Sequence, residues 1–450
     1  MFVVPSPAYL AVAGMAFGAH RQNVAAHAWR EAVLHRFRGP QTGSTDGTNP
    51  MAPLLVGSSG TLYGTTFEGG TSGAGTVFSL APTDRQTWKE NILHAFTDSD
   101  GDGGGPQAGV HFGPNGVLYG TTVSGGAYCN GGFLCVGGTA YSLTPPPSPG
   151  GSWAENVLFS FYSGNVGGDG PRAGVIVDPA GTVYGATQLS KRSHGGTIFA
   201  LTHTGSIWSE NVLHAFPAFR HDALSPSGDL IAGPAGALYG TTVSGGTQRG
   251  IGCVYGCGAV FTLYPRQNQW REAVLHSFGA TGDGQTPFAG LLMNASGALF
   301  GTTYSGGDPS CGLGCGVAFE LQPPVKRGGA WTETILHTFS SKGGDGTRPL
   351  SMLVQDADGA LYGTTTTGGS FACGSDEGCG TIFKLSPPAK PGGAWSESII
   401  YRFTGTHGDG WAPNAGVVWG ADGSLYGTTY LGGLQECPQG CGTIFRLSPR

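Results

Sequence analysis

Residues 118–122 read Leu-Tyr-Gly-Thr-Thr, and the same word or a close variant occurs seven times along the chain. Its aromatic is Tyr63, Tyr119, Tyr184, Tyr239, Phe300, Tyr362 and Tyr426 in turn. About 31 residues upstream of each stands a Trp: Trp29, Trp88, Trp153, Trp208, Trp270, Trp331 and Trp395. A Glu follows each Trp by two residues and a Phe by eight, as in Trp88-Lys-Glu-Asn-Ile-Leu-His-Ala-Phe96. This stretch alternates and reads as a strand. Downstream, Gly-Gly opens a loop. A second aromatic strand follows, centred on Phe78, Tyr141, Phe199, Phe261, Phe319, Phe383 and Phe445. Between the Trp strand and Leu-Tyr-Gly-Thr-Thr lies Pro-x-Ala-Gly-Val, as at Pro106–Val110 and Pro413–Val417.

Four short strands per unit and seven units predict an all-β, seven-bladed β-propeller over residues 29–447. A linear β-solenoid is the alternative, but its repeats are usually shorter and its strands parallel. The expected order from the axis outward is Pro-x-Ala-Gly-Val, Leu-Tyr-Gly-Thr-Thr, Gly-Thr-Val-Phe, then the Trp strand. The chain then starts on an outermost strand, 29–37, and ends on a third strand, 442–447. The N-terminal strand should therefore complete the last blade and leave no open edge. Residues 1–28 form a signal-like or unstructured segment, and 448–450 a tail. The segment has an apolar run at 8–19 and small residues at 26–28, but no basic residue before the run.

The words Gly-x-Leu-Tyr-Gly-Thr-Thr-x-x-Gly-Gly and Gly-Thr-Ile-Phe-x-Leu resemble the GloVer tandem repeat of bacterial surface proteins, named "choice-of-anchor" for their varied C-terminal anchors. The resemblance spans about residues 29–447 and implies export and surface display, with no established activity. Ser448-Pro449-Arg450 carries no anchor motif, so free secretion is an expectation beside cell attachment.

Composition narrows the classes. Gly and Pro together are about a quarter of 450 residues, which here reads as turn chemistry because the apolar residues recur in register. Charged residues are 11% and the net charge is −6, so the basic face of a nucleic-acid binder is absent. No later segment suits a transmembrane helix. A monomer is expected.

Ten cysteines form five local pairs: Cys129 with Cys135, Cys253 with Cys257, Cys311 with Cys315, Cys373 with Cys379 and Cys437 with Cys441. All lie between the second and third strands. The loops that hold them are longer than those that do not. This reads as five disulfide staples and an oxidising compartment; metal binding would need pairs to converge, and free thiols are the third option.

An Asp stands shortly before the inner Pro in every repeat: Asp46, Asp102, Asp169, Asp222, Asp283, Asp345 and Asp409. These loops should share a face with the cysteine loops. A ring of carboxylates at that mouth would suit cations or sugar hydroxyls, whereas Gly-Asp-Gly is also simply a turn whose Asp caps its own backbone. Asp98-x-Asp100-x-Asp102 resembles the start of a calcium loop, making calcium the one cofactor considered, although the twelfth position is Gly109 rather than Glu. The repeated His (His35, His94, His214, His276, His337) gives way to Phe159 and Tyr401, which points to packing.

The third repeat breaks the pattern. Ala186-Thr187 replaces Thr-Thr and Lys191, Arg192 and His194 appear, while Arg172 precedes them and Arg220-His221-Asp222 follows. In a chain with 22 Lys and Arg this is a concentration suited to an anionic glycan, or else a solvated basic loop. The function expected is an exported, non-catalytic module binding carbohydrate or protein. A polysaccharide lyase or glycosidase and a purely structural surface protein are the alternatives.

Overall fold

The computed structural model describes residues 29–450 except 40–44, 84–86, 129–135, 149, 163–166, 191–193, 218–222, 249–251, 268, 327, 391 and 435. The signal-like segment lies outside the described residues. Seven antiparallel sheets form seven blades. In blade 1 the strands run outward as Leu55–Val56, Leu62–Thr66, Thr76–Pro82 and Trp88–Ala95. Blade 7 comprises Val418–Trp419, Leu425–Thr429, Thr443–Pro449 and, outermost, the N-terminal strand Trp29–Arg36. Trp29 pairs with Pro449 and Arg36 with Thr443, so both chain ends are held in one sheet.

One detail differs from expectation. Pro-x-Ala-Gly-Val is not itself a regular strand; the innermost ladder is two residues long and starts at or just after its end, as at His111–Phe112 and Val418–Trp419. Proline removes a ladder donor, and the segment packs instead against the neighbouring blade. Near the start of each third strand, a Gly with positive φ lies over the next blade's Pro. A Cβ on Gly75 would stand 2.7 Å from Pro106 Cδ, and one on Gly442 would stand 2.6 Å from Pro50 Cδ. Only glycine fits such a contact at that backbone angle.

The core lies between the blades. Every seam has an edge-on or tilted aromatic pair, from Phe37–Phe78 at 5.5 Å through Phe161–Phe199 and Phe339–Phe383 at 5.0 Å to Phe403–Phe445 at 5.2 Å. At six seams the first Thr of Leu-Tyr-Gly-Thr-Thr donates to a carbonyl of the next blade, for example Thr302 Oγ1 to Ser351 O at 3.0 Å and Thr428 Oγ1 to Ala52 O at 3.3 Å. Blade 3 has Ala186 at that position and lacks the hydroxyl.

Every Trp strand has a β-bulge. In blade 1, Ile92 pairs with Phe78 but His94 pairs with Val77, so Leu93 is the extra residue. Side chains before the bulge face one neighbouring blade and those after it face the other. Trp88 thus meets Tyr426 of blade 7, while Phe96 meets Tyr141 of blade 2.

Candidate functional site

The Asp turns and the cysteine loops share one face. Three clefts, of about 260, 330 and 260 Å³, are each lined by an Asp turn together with cysteine-loop residues. Cys253–Cys257, Cys311–Cys315, Cys373–Cys379 and Cys437–Cys441 are disulfides. Four of the five expected pairs are thus joined within the described residues. The fifth expected disulfide, from Cys129 to Cys135, is not among them, because Cys129 and Cys135 both lie outside the described residues. In blade 2 the third strand begins at Val136, immediately after Cys135. The four staples hold short Gly-rich loops that project Val254, Tyr255, Leu313 and Phe371 into solvent, with Tyr128 at the start of the corresponding loop of blade 2.

The carboxylates of the turns do not gather at one mouth. Asp46, Asp169 and Asp283 are buried, and each described Asp sits at its own seam. Asp102 accepts from Gly103 N at 2.6 Å and Thr97 N at 2.8 Å. Asp283 accepts from Gly284 N and Gly279 N, and Asp345 from Gly346 N and Ser340 N. Asp409 takes the Thr404 N–H at 2.8 Å. This is the turn chemistry of a side chain capping its own loop.

What the sequence did not suggest is the partner of these turns. Because of the bulge, His35, His94, His276 and His337 each face an Asp turn together with the Glu of the next Trp strand. His276 Nε2 stands 3.3 Å from Asp283 and 3.4 Å from Glu333. Equivalent clusters are His35–Asp46–Glu90, His94–Asp102–Glu155 and His337–Asp345–Glu397. Each ring also packs edge-on against the Phe two residues on, as His276 does at 4.6 Å from Phe278, so packing is half of its role. The glutamates feel burial and their Asp neighbours: Glu90 is pushed up to about 9 and Glu397 to about 7, while Glu155 moves upward.

Among the expected site residues, Lys191, Arg192, Arg220, His221 and Asp222 lie outside the described residues. His194 opens the third strand of blade 3 opposite Pro217, and Arg172 is exposed just before the innermost strand of that blade.

Two features break the seven-fold symmetry within the described residues. The first is the cleft between blades 5 and 6. The residue before each inner Pro has positive φ in all seven repeats, and at six of them it is Asn, Gly, Ser, Thr or Ala; in this cleft it is Arg348, at φ 58°. Its guanidinium pairs with Glu377 and lies 5.7 Å from the Tyr304 ring centre, beside exposed Phe371 and Asp376. The second is at the axis. His111 Nε2 of blade 2 stands 3.8 Å from Asp229 of blade 4, crossing in front of Gly174, whose N–H donates to Asp229 at 2.6 Å. The corresponding positions elsewhere are aliphatic for His111 and mostly Gly for Asp229. Burial opposes the Asp229 charge, but the His111 imidazole and the Gly174 N–H outweigh it and hold the carboxyl below the usual carboxylate range.

The Gloeobacter/Verrucomicrobia repeat matches this chain over residues 23–247, 135–375 and 314–450. The chain belongs to that family. The matches overlap end to end, as expected of a repeat whose unit closes a ring. No curated protein matches the chain. Among solved structures, a polysaccharide lyase of family PL25, an ulvan lyase bound to -[GlcA(1-4)Rha3S]-, is 10% identical at a TM-score of 0.53, covering 92% of this chain and 95% of its own. A putative 6-phosphogluconolactonase from Bacteroides uniformis is 14% identical with TM-score 0.47, covering 84% and 91%. The GH93 α-L-arabinofuranosidase of Fusarium graminearum is 15% identical with TM-score 0.44, covering 82% and 97%. At these identities the likeness is one of fold, and this repeat-family member shares with the lyase the propeller alone. No helix among the described residues is long and apolar enough to cross a membrane.

Proposed function

We propose that this protein is an exported binding module that takes carbohydrate on its disulfide-stapled face. The cleft between blades 5 and 6 carries the reading. Phe371 offers a flat apolar surface for a sugar C–H face, and Arg348, Asp376 and Glu377 offer charged partners for hydroxyl or acid groups. The left-handed position that Arg348 holds carries small residues at the other six seams, so a guanidinium stands at this position only here. The disulfides support an oxidising compartment and thus export. A glycan array followed by calorimetry with Phe371→Ala and Arg348→Ala tests this. Binding that falls at least tenfold in either variant supports it. No glycan above background, or unchanged affinity in both folded variants, refutes it.

A second reading rests on the His111–Asp229 pair. A histidine oriented by a carboxylate is the arrangement of a general base, and a PL25 lyase shares the propeller. Incubation with polyuronates, followed by the absorbance of unsaturated products, separates the two. Product formed by the wild type and lost in His111→Ala favours the lyase; no product across the panel removes it.

A further inference from the structure

Four seams bring one imidazole nitrogen and two carboxylates from three separate chain segments within 4.8 Å of one another. They join blades 7 and 1 (His35, Asp46, Glu90), 1 and 2 (His94, Asp102, Glu155), 4 and 5 (His276, Asp283, Glu333), and 5 and 6 (His337, Asp345, Glu397). We propose that these seams are inter-blade metal sites for a zinc-type divalent ion, with the His Nε2 and one oxygen from each carboxylate as ligands.

Three observations carry this. First, the spacing is that of ligands around an ion. Nε2 stands 3.4 Å from Asp46 and 3.7 Å from Glu90, 3.4 Å from Asp102, 3.3 Å from Asp283 and 3.4 Å from Glu333, and 3.1 Å from Asp345. Four ligands about 2.0–2.1 Å from a zinc ion stand roughly 3.3–3.4 Å apart. The contacts of His94, His276 and His337 to their Asp are also hydrogen bonds, of 3.4, 3.3 and 3.1 Å, longer than the charge-assisted range of about 2.7–2.9 Å. Second, Oε1 of Glu90, Glu155, Glu333 and Glu397 is shut off from solvent and makes no hydrogen bond, as is Oε1 of Glu31 and Glu210 at the two seams whose His is replaced. A buried polar atom of that kind demands a partner. Third, the Asp carboxylates are already oriented by backbone N–H groups, as Asp283 is by Gly279 and Gly284, which is the outer-shell support a ligand needs.

One nitrogen and few oxygens suit zinc-type ions better than calcium, which takes six to eight oxygens. A shared proton is the competing occupant: it would also relieve two neighbouring carboxylates, and it binds no metal. Two of the three remaining seams show what the site requires. Phe159 and Tyr401 stand in place of the His at the seams between blades 2 and 3 and between blades 6 and 7. Phenylalanine at this position is therefore compatible with the fold.

The test uses the untagged full chain, incubated with Zn²⁺, freed of excess by gel filtration and analysed for bound metal. At least four equivalents are expected in the wild type. His276→Phe and His337→Phe should each retain one fewer at unchanged circular dichroism, and Phe159→His should gain one. The thermal transition should be higher with Zn²⁺ than after chelation. Less than one equivalent in the wild type overturns the proposal and leaves the seams to protons. An unchanged count in both folded His→Phe variants overturns it equally.

Discussion

The seam between blades 5 and 6 and the seam between blades 2 and 3 come from the same repeat. Both keep the turn Asp and the half-buried Glu, as Asp345 with Glu397 and Asp169 with Glu210, yet they differ in the other polar residues. The first has His337, Asp345 and Glu397, a stapled loop and Arg348. The second has Phe159 in place of the His, and Gly170 in place of Arg348. Beyond those carboxylates they share the aromatic pair at 5.0 Å, the Thr hydroxyl to the next blade's carbonyl, and the Gly packed under a Pro. The shared set is what closes the ring. The polar set is an addition that the fold tolerates losing, and it is there that function is to be sought.

The largest expected effect falls on the shared set. Phe339→Ala and Phe161→Ala each remove a buried ring from a seam and should cost about 3–5 kcal/mol in denaturant unfolding, alike in both seams. A cost at one seam less than half that at the other would break the equivalence. Next is the hydroxyl. Thr302→Val and Thr121→Val leave a buried carbonyl without its donor and should each cost about 1–3 kcal/mol. Blade 3, which has Ala186, already lives without this bond.

The third prediction concerns pH and the seam without histidine. Burial pushes Glu210 up to about 7. In the unfolded chain it titrates near 4.5. Below that both states hold the proton and Glu210 is neutral in its effect. As pH rises towards 7, the unfolded state sheds its proton first, so stability falls across that window and stays low above it. Glu210→Gln should therefore match the wild type near pH 4 and melt higher than it at pH 8. A variant that melts lower at pH 8 would show that the charged form is stabilised instead.

The ring itself was legible because folding residues repeat. Trp, Phe, Leu-Tyr-Gly-Thr-Thr and the Gly before the third strand each do the same task seven times, and even the closure by Trp29–Arg36 follows from counting strands. The seam clusters were not legible. Alternation places Glu90, Ile92, His94 and Phe96 on one face, and only the bulge at Leu93 sends Glu90 to one seam and His94 to the next. Nothing in the spacing of a single repeat marks that extra residue. The His111–Asp229 pair was hidden for another reason: it joins blades 2 and 4 past Gly174 of blade 3, a contact between repeats that are not neighbours in sequence. The strain at Arg348 was also out of reach, since a residue before proline is ordinarily extended rather than left-handed.

The smallest expected effect on stability is at Arg348, and it is the most informative about the polar set. Arg348→Ala keeps a Cβ at φ 58° and loses the contacts to Glu377 and Tyr304, both at the surface and together worth about 1 kcal/mol or less. Arg348→Gly loses the same contacts but relieves the left-handed backbone, a gain of about 1 kcal/mol. The glycine variant should therefore be as stable as the wild type, and the alanine variant slightly less so. Both should lose ligand equally, because binding depends on the guanidinium and not on the strain. If glycine keeps the affinity that alanine loses, the backbone angle is what shapes the cleft. Arg348 would then belong with the residues that build the ring, as Gly170 does at the seam between blades 2 and 3.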